Sequence, residues 1–165
     1  MHNRRRALIE QATSGVKPLY LYNNGDKCLD VIGGWTVIRQ DKYFYFSFQN
    51  TYVLFGQSSG NLGEVRTQNP MDISKYKELH IGHHPYDGGS GNAKKRIQFL
   101  DKDTEEVLAE SYLSWALPWQ SGTWYPYQEF IMDINSSSNN AVLDLADLIA
   151  THGNRMTSIV AIWLE

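Results

Sequence analysis

Only one cysteine, Cys28, occurs among the 165 residues, so neither an internal disulfide nor a cysteine-rich zinc cluster can brace this chain. Cys28 itself reads as a small buried apolar residue. No apolar run approaches the length of a membrane span, and the start MHNRRRALIEQATSG carries the charges of a signal peptide without its apolar core. The expectation is therefore a soluble protein without an export signal or membrane insertion. Positive charge is not in excess either: the formal net charge is −3 and the pI near 5.9, which argues against a general nucleic-acid binder. The chain has no HExxH, no GxSxG, no P-loop, no dinucleotide fingerprint and no internal repeat, so no catalytic residue and no cofactor is assigned.

What is present favours β structure. Thirteen glycines and ten tyrosines exceed the needs of a helical protein of this size, and 42% hydrophobic residues suffice for one core. In KYFYFSFQ, Phe44, Phe46 and Phe48 share one face of a strand while Tyr43, Tyr45 and Ser47 share the other. Similar strands read at residues 19–22, 51–55, 77–82, 95–101, 107–115, 128–134 and 158–164, separated by turn clusters such as NNGD, YDGGSGNA, DKDTE and NSSSNN. The pattern predicts an all-β fold, a two-sheet antiparallel β-sandwich or jelly roll spanning residues 18–165. In NAVLDLADLIATHGN, Val142, Leu145, Ala146 and Ile149 recur at helical spacing, which predicts a brief strand and then one short helix near residues 145–151.

Residues 1–17 differ in kind. Arg4, Arg5 and Arg6 lead into Leu8, Ile9, Ala12 and Val16, a thin apolar stripe at helical spacing. An isolated helix of this length is marginal in water, so the segment reads as a basic helical arm that orders on a partner.

Three constellations invite chemistry. His80, His83, His84 and Asp87 lie within ten residues of one another, but on a strand Leu79 and Ile81 point inward and leave His80 and His84 outward, about 13 Å apart. Zinc needs its ligating atoms about 3–3.5 Å apart, so no metal site is expected; these residues read as exposed strand-end histidines. The acids of DKDTEE, residues 101–106, lack the remaining ligands of a calcium loop and read as a hairpin turn. The aromatic residues say most: Trp115, Trp119, Trp124, Tyr125 and Tyr127 crowd into thirteen residues broken by Pro118, Gly122 and Pro126. Rings on such a loop offer a platform for a glycan or a partner, or else plug one end of the sandwich.

The order of two segments carries a resemblance. Arg4 to Arg6 in NRRRALIEQATSG precede LYLYNNGDKCLDVIGGW, with Gly25, Asp26, Cys28, Gly33, Gly34 and Trp35. Together with MDISKYKELHI at 71–81 and the closing SIVAIWLE, they resemble small structural proteins of tailed bacteriophages and prophages, of tail, baseplate or fibre. Ile32 departs from the pattern, where Thr is expected. The resemblance implies a non-enzymatic virion component, made in the host cytoplasm. Its sandwich is similar to carbohydrate-binding jelly rolls, and its arm joins other virion proteins or copies of itself, with host adhesion through a surface glycan as a further role. A carbohydrate-binding module using the Trp/Tyr-rich loop is the alternative, although such a module is normally one piece of a longer chain and this one starts at Met1 and ends after its last strand. A small hydrolase or metal enzyme using His80, His84, Asp87 or the 101–106 acids ranks third.

Deleting residues 1–17 is expected to leave a soluble, cooperatively folding body that no longer assembles. Denaturant unfolding and size-exclusion chromatography of the truncated chain check this; an unfolded body would make the arm part of the core.

Overall fold

Alternation along the chain becomes alternation across two sheets. The computed structural model describes residues 15–42, 44–57, 62–87, 93–115, 123–147 and 155–165. The strands are β1 (Leu19–Asn23), β2 (Trp35–Gln40), β3 (Phe44–Phe48), β4 (Val53–Gln57), β5 (Gly63–Thr67) and β6 (Glu78–Asp87). They continue as β7 (Ala93–Asp101), β8 (Val107–Trp115), β9 (Thr123–Trp124), β10 (Gln128–Asp133), β11 (Ala141–Asp147) and β12 (Arg155–Leu164). One sheet runs β10-β6-β12-β4-β3, with β1 also paired to β12 and β9 to β6; the other runs β2-β5-β11-β7-β8. Every pairing is antiparallel, as a jelly-roll sandwich requires.

The core lies between the sheets. Leu79 and Ile81 of β6, Phe55 of β4 and Ile162 of β12 face Val65, Ile97, Phe99, Leu143 and Leu145 of the second sheet, all buried. Phe44 packs edge-on to Phe55 with ring centres 5.9 Å apart, and Phe46 does the same at 6.0 Å.

The expected helix near residues 145–151 is not formed where it is described. Leu145, Ala146 and Asp147 belong to β11, opposite Val65, Glu64 and Gly63 on β5; residues 148–151 lie outside the described residues. Every residue of β11 is buried, because both faces of this central strand are covered. A strand covered on both faces loses period-two polarity, which is why VLDLAD mimicked a helix. The described helix, α1 (Leu29–Ile32), is elsewhere. It starts at Cys28, half-buried in a left-handed conformation (φ 47°), rather than buried as expected, and stops at Gly33 (φ 72°), where a Cβ would meet the Asn69 side chain at 2.5 Å. The Ile32 carbonyl accepts from Gln68 and Asn69 while its side chain is fully buried, so GGW leads into a core ring: Trp35 lies 4.9 Å from Phe46. Strands β2 and β5, unanticipated from the sequence, complete the second sheet.

One polar cluster interrupts the apolar interior. Lys95 Nζ reaches Asp147 Oδ2 at 2.7 Å with both side chains essentially inaccessible, and the ammonium lies 5.3 Å from the centres of both the Phe55 and Trp115 rings. Thr157 donates its hydroxyl hydrogen to the His84 carbonyl at 3.1 Å, so the 2.7 Å contact between His83 Nδ1 and Thr157 Oγ1 has the imidazole as donor. Burial, aided by the charges of His84 and Lys95, lowers the His83 pKa to about 4.

A buried neutral histidine ties stability to pH. The unfolded chain binds the His83 proton near pH 6.5 and the folded chain only near 4, so its contribution is intact above about 6.5 and is lost as pH falls toward 4. The expected loss is on the order of 2–3 kcal/mol. Urea unfolding between pH 8 and 4, with NMR titration of the His83 ring, measures it.

Candidate functional site

Strand β6 has neighbours on both edges, and its outward positions Glu78, His80, Gly82, His84 and Tyr86 run down the middle of the outer sheet face. The stretch from 80 to 86 spans about 20 Å. On one side β12 places Trp163 opposite His80, and the two rings stack with centres 4.9 Å apart and planes 16° from parallel. Tyr20 of β1 extends the row, 6.1 Å from Trp163.

On the other side the edge strand contributes rings through a bulge. Trp124 of β9 pairs with Tyr86, and Gln128 of β10 pairs with His83, so four steps on the edge oppose three on β6. The extra residue falls within Tyr125-Pro126-Tyr127. The Tyr125 amide donates to the Pro85 carbonyl at 2.8 Å, and the Tyr125 carbonyl contacts His84 Nδ1 at 3.1 Å. Tyr127 is thereby laid over Gly82: a Cβ there would sit 2.4 Å from the Tyr127 hydroxyl and 2.7 Å from its ring. Ala161, opposite Gly82 on β12, keeps the other side low. Tyr127 meets His84 edge-on at 5.9 Å, and Trp124 packs on Tyr86 at 4.7 Å.

The result is a track of rings, Tyr20, Trp163, His80, Tyr127, His84, Tyr86 and Trp124, along one sheet face. Its outermost members are well exposed: Tyr20 at 39%, Trp124 at 45% and Tyr127 at 48%. Flat rings alternating with the Glu78 and Glu129 carboxylates suit a ligand that is apolar on its faces and hydroxylated at its edges.

The structure distributes the residues expected on the platform differently. Trp124 and Tyr127 lie on the track, and Tyr125 supports it through its backbone. Trp115 does not: it is 8% exposed and points into the sandwich, its ring centre 5.9 Å from that of His83. Trp119 lies outside the described residues, as do Arg4, Arg5, Arg6, Leu8 and Ile9 of the arm. The histidines are not exposed strand-end residues: His80 and His83 are each 3% exposed, His80 because carboxylates and Trp163 wrap it. Tyr20, Tyr86 and Trp163 escaped the sequence reading. Period two on β6 places Tyr86 beside His84, but nothing local sets Trp163 opposite His80.

The structure does not bring together the histidines and the 101–106 acids that the hydrolase reading named. His80 and His84 stay two pleats apart, and Asp101 caps the β7–β8 turn by accepting from the Asp103 and Thr104 amides. On the opposite outer face, Arg66 and Arg96 bracket Glu64 and the buried Asp144. Burial, then a hydrogen bond that the protonated Glu64 carboxyl donates to Asp144, pushes Glu64 up to about 7 against the pull of both arginines. Two carboxyls in direct contact leave no room for a sugar between them, whereas glycosidase pairs stand about 5–9.5 Å apart.

No protein-family model and no curated protein matches this sequence. Solved structures do match its fold. The family 29 carbohydrate-binding module CBM29-2 aligns over 91% of this chain and 92% of its own, with TM-score 0.56 and 12% identity. The K1 cleaved adhesin domain of Lys-gingipain from Porphyromonas gingivalis W83 aligns over 91% and 98%, with TM-score 0.59 and 10% identity. The arabinofuranosidase MgGH51 matches over 90% of this chain but 24% of its own, with TM-score 0.53 and 12% identity. The chain has a β-sandwich like that of carbohydrate-binding modules; at such identities the likeness defines the fold alone. The resemblance to phage structural proteins gains no support from these matches.

Because Gly82 is extended and only a side-chain end crowds it, Gly82→Ala is expected to displace Tyr127 at a cost below about 1 kcal/mol. NMR contacts between the Tyr127 and His84 rings should vanish while the unfolding midpoint stays near that of the parent.

Proposed function

We propose that this protein is a non-catalytic glycan-binding module whose site is the aromatic track along β6. The observation that carries the reading is the placement of Trp124 and Tyr127 by a bulged edge strand, exposed and in line with Tyr86, His84 and Trp163. Exposed aromatic surface is costly to keep in water, and rings fixed by strand pairing lose little entropy on contact. Pyranose rings fit such a surface: axial C–H groups stack on the aromatic faces while equatorial hydroxyls meet Glu129 and Glu78.

The fold supports this reading. CBM29-2 has been solved with cellulohexaose, and the gingipain match is an adhesin domain. A β-linked oligosaccharide extended along the 20 Å track is therefore the first ligand to try, and binding to surfaces would draw on many weak contacts at once. Placement in a virion, with residues 1–17 as an anchor to other virion proteins, rests on the sequence resemblance alone.

A glycan array with multimeric protein, followed by calorimetry with the strongest oligosaccharide, tests the proposal. Trp124→Ala and Tyr127→Ala should each weaken binding about tenfold, equivalent to about 1.4 kcal/mol. Tyr112→Ala, on the other sheet's outer face, should change nothing. Equal affinity in the Trp124→Ala, Tyr127→Ala double variant would remove the track from the site.

A further inference from the structure

His80 is surrounded by more carboxylate than an imidazole can satisfy. Its Nδ1 lies 2.7 Å from Glu129 Oε1, while its Nε2 lies 2.9 Å from both Glu78 Oε2 and Glu165 Oε1. The ring is 3% exposed and is held flat by Trp163. With Nδ1–H donated to Glu129, a neutral imidazole aims its Nε2 lone pair at two anionic oxygens, which is repulsive. A charged imidazolium could share one N–H between them. A cation at that point would instead turn all three atoms into ligands.

We propose that His80 Nε2, Glu78 and Glu165 bind one divalent transition-metal ion of the zinc class, with Glu129 as the outer partner that fixes the imidazole tautomer. Nε2 lies 2.9 Å from each carboxylate oxygen and the three ligand atoms lie within 4.8 Å of one another, so side-chain rotations would bring them to the spacing of about 3.3 Å around a tetrahedral ion. The supporting backbone is rigid. Glu78 and His80 are alternate residues on one face of β6, and Glu165 is locked beside Glu78 by reciprocal amide–carbonyl bonds of 2.9 and 3.0 Å. Nδ1–H donated to a carboxylate is the usual outer arrangement of a metal-bound histidine. One imidazole with two carboxylates suits zinc, whereas calcium takes six to eight oxygens. Glu78, 40% exposed at its side chain, leaves the fourth position open to water.

The sequence reading weighed His80 with His84 and Asp87 and rejected that set on distance; the structure offers His80 different partners. The site shares His80, Glu78 and Glu129 with the proposed glycan track, and Tyr127 lies 3.5 Å from Glu129 Oε2, but ion binding is read on the protein without any glycan and so stands or falls separately. Binding would displace any proton on Nε2 to solvent and so weaken on acidification.

The full chain, dialysed against EDTA, would be titrated with Zn²⁺ by calorimetry and with Co²⁺ by visible absorbance. Expected are one ion per chain, loss of binding in His80→Gln, and a roughly 10–100-fold weaker ion in Glu129→Gln. Glu106→Gln, on the β7–β8 turn, should bind as the parent does. Should His80→Gln fail to fold, Glu78→Gln with Glu165→Gln serves as the second variant and should also lose the ion. No saturable Zn²⁺ binding by the parent overturns the proposal. So does a stoichiometric ion kept by every folded ligand variant, or a preference for Ca²⁺.

Discussion

Everything in this molecule turns on the two-residue period of β6, a strand flanked on both edges so that neither of its faces can slip. One face supplies Leu79, Ile81 and His83 to the core; the other supplies His80, Gly82, His84 and Tyr86 to the surface. A shift of one residue against β12 would turn Glu78 and His80 inward and Leu79 and Ile81 outward, so the hydrophobic pattern that closes the core also fixes the ring positions outside. Fold and candidate site are thus specified by one register.

That coupling explains how rings from distant segments form one surface. Tyr20, Trp124, Tyr127 and Trp163 come from three separate stretches; Trp124 and Trp163 are set by pairing with β6, Tyr20 by pairing with β12, and Tyr127 by the paired strands on either side of it. Two local devices finish the arrangement. The bulge at residues 125–127 throws Tyr127 over the sheet, and the missing side chain of Gly82 gives it somewhere to lie. The opposite outer face is built differently, its arginines and carboxylates neutralising each other over β11. Ionic groups already paired have less to offer a neutral, hydroxylated ligand than exposed ring faces do.

The buried polar cluster beneath the core shows the same economy. Lys95 and Asp147 neutralise each other, and the interior position of Trp115 supplies a π face to the ammonium rather than to a ligand. The sequence counted Trp115 with its exposed neighbours because strand parity, not proximity in the chain, decides which side of a sheet a tryptophan takes.

By itself the sequence determined the all-β sandwich, most of its strands and turns, and the richness in rings of residues 115–127, because period two and turn chemistry are local properties. It misread β11 as partly helical, since a strand covered on both faces shows no alternation. It passed over β2 and β5, whose few apolar residues acquire meaning only beside a neighbour. Tertiary structure alone decided that His80 meets Trp163, Glu78, Glu129 and Glu165, and that Trp124 and Tyr127 share a face with Tyr86. Those contacts join residues up to 85 positions apart, from His80 to Glu165, through pairing registers that no stretch of chain carries within itself.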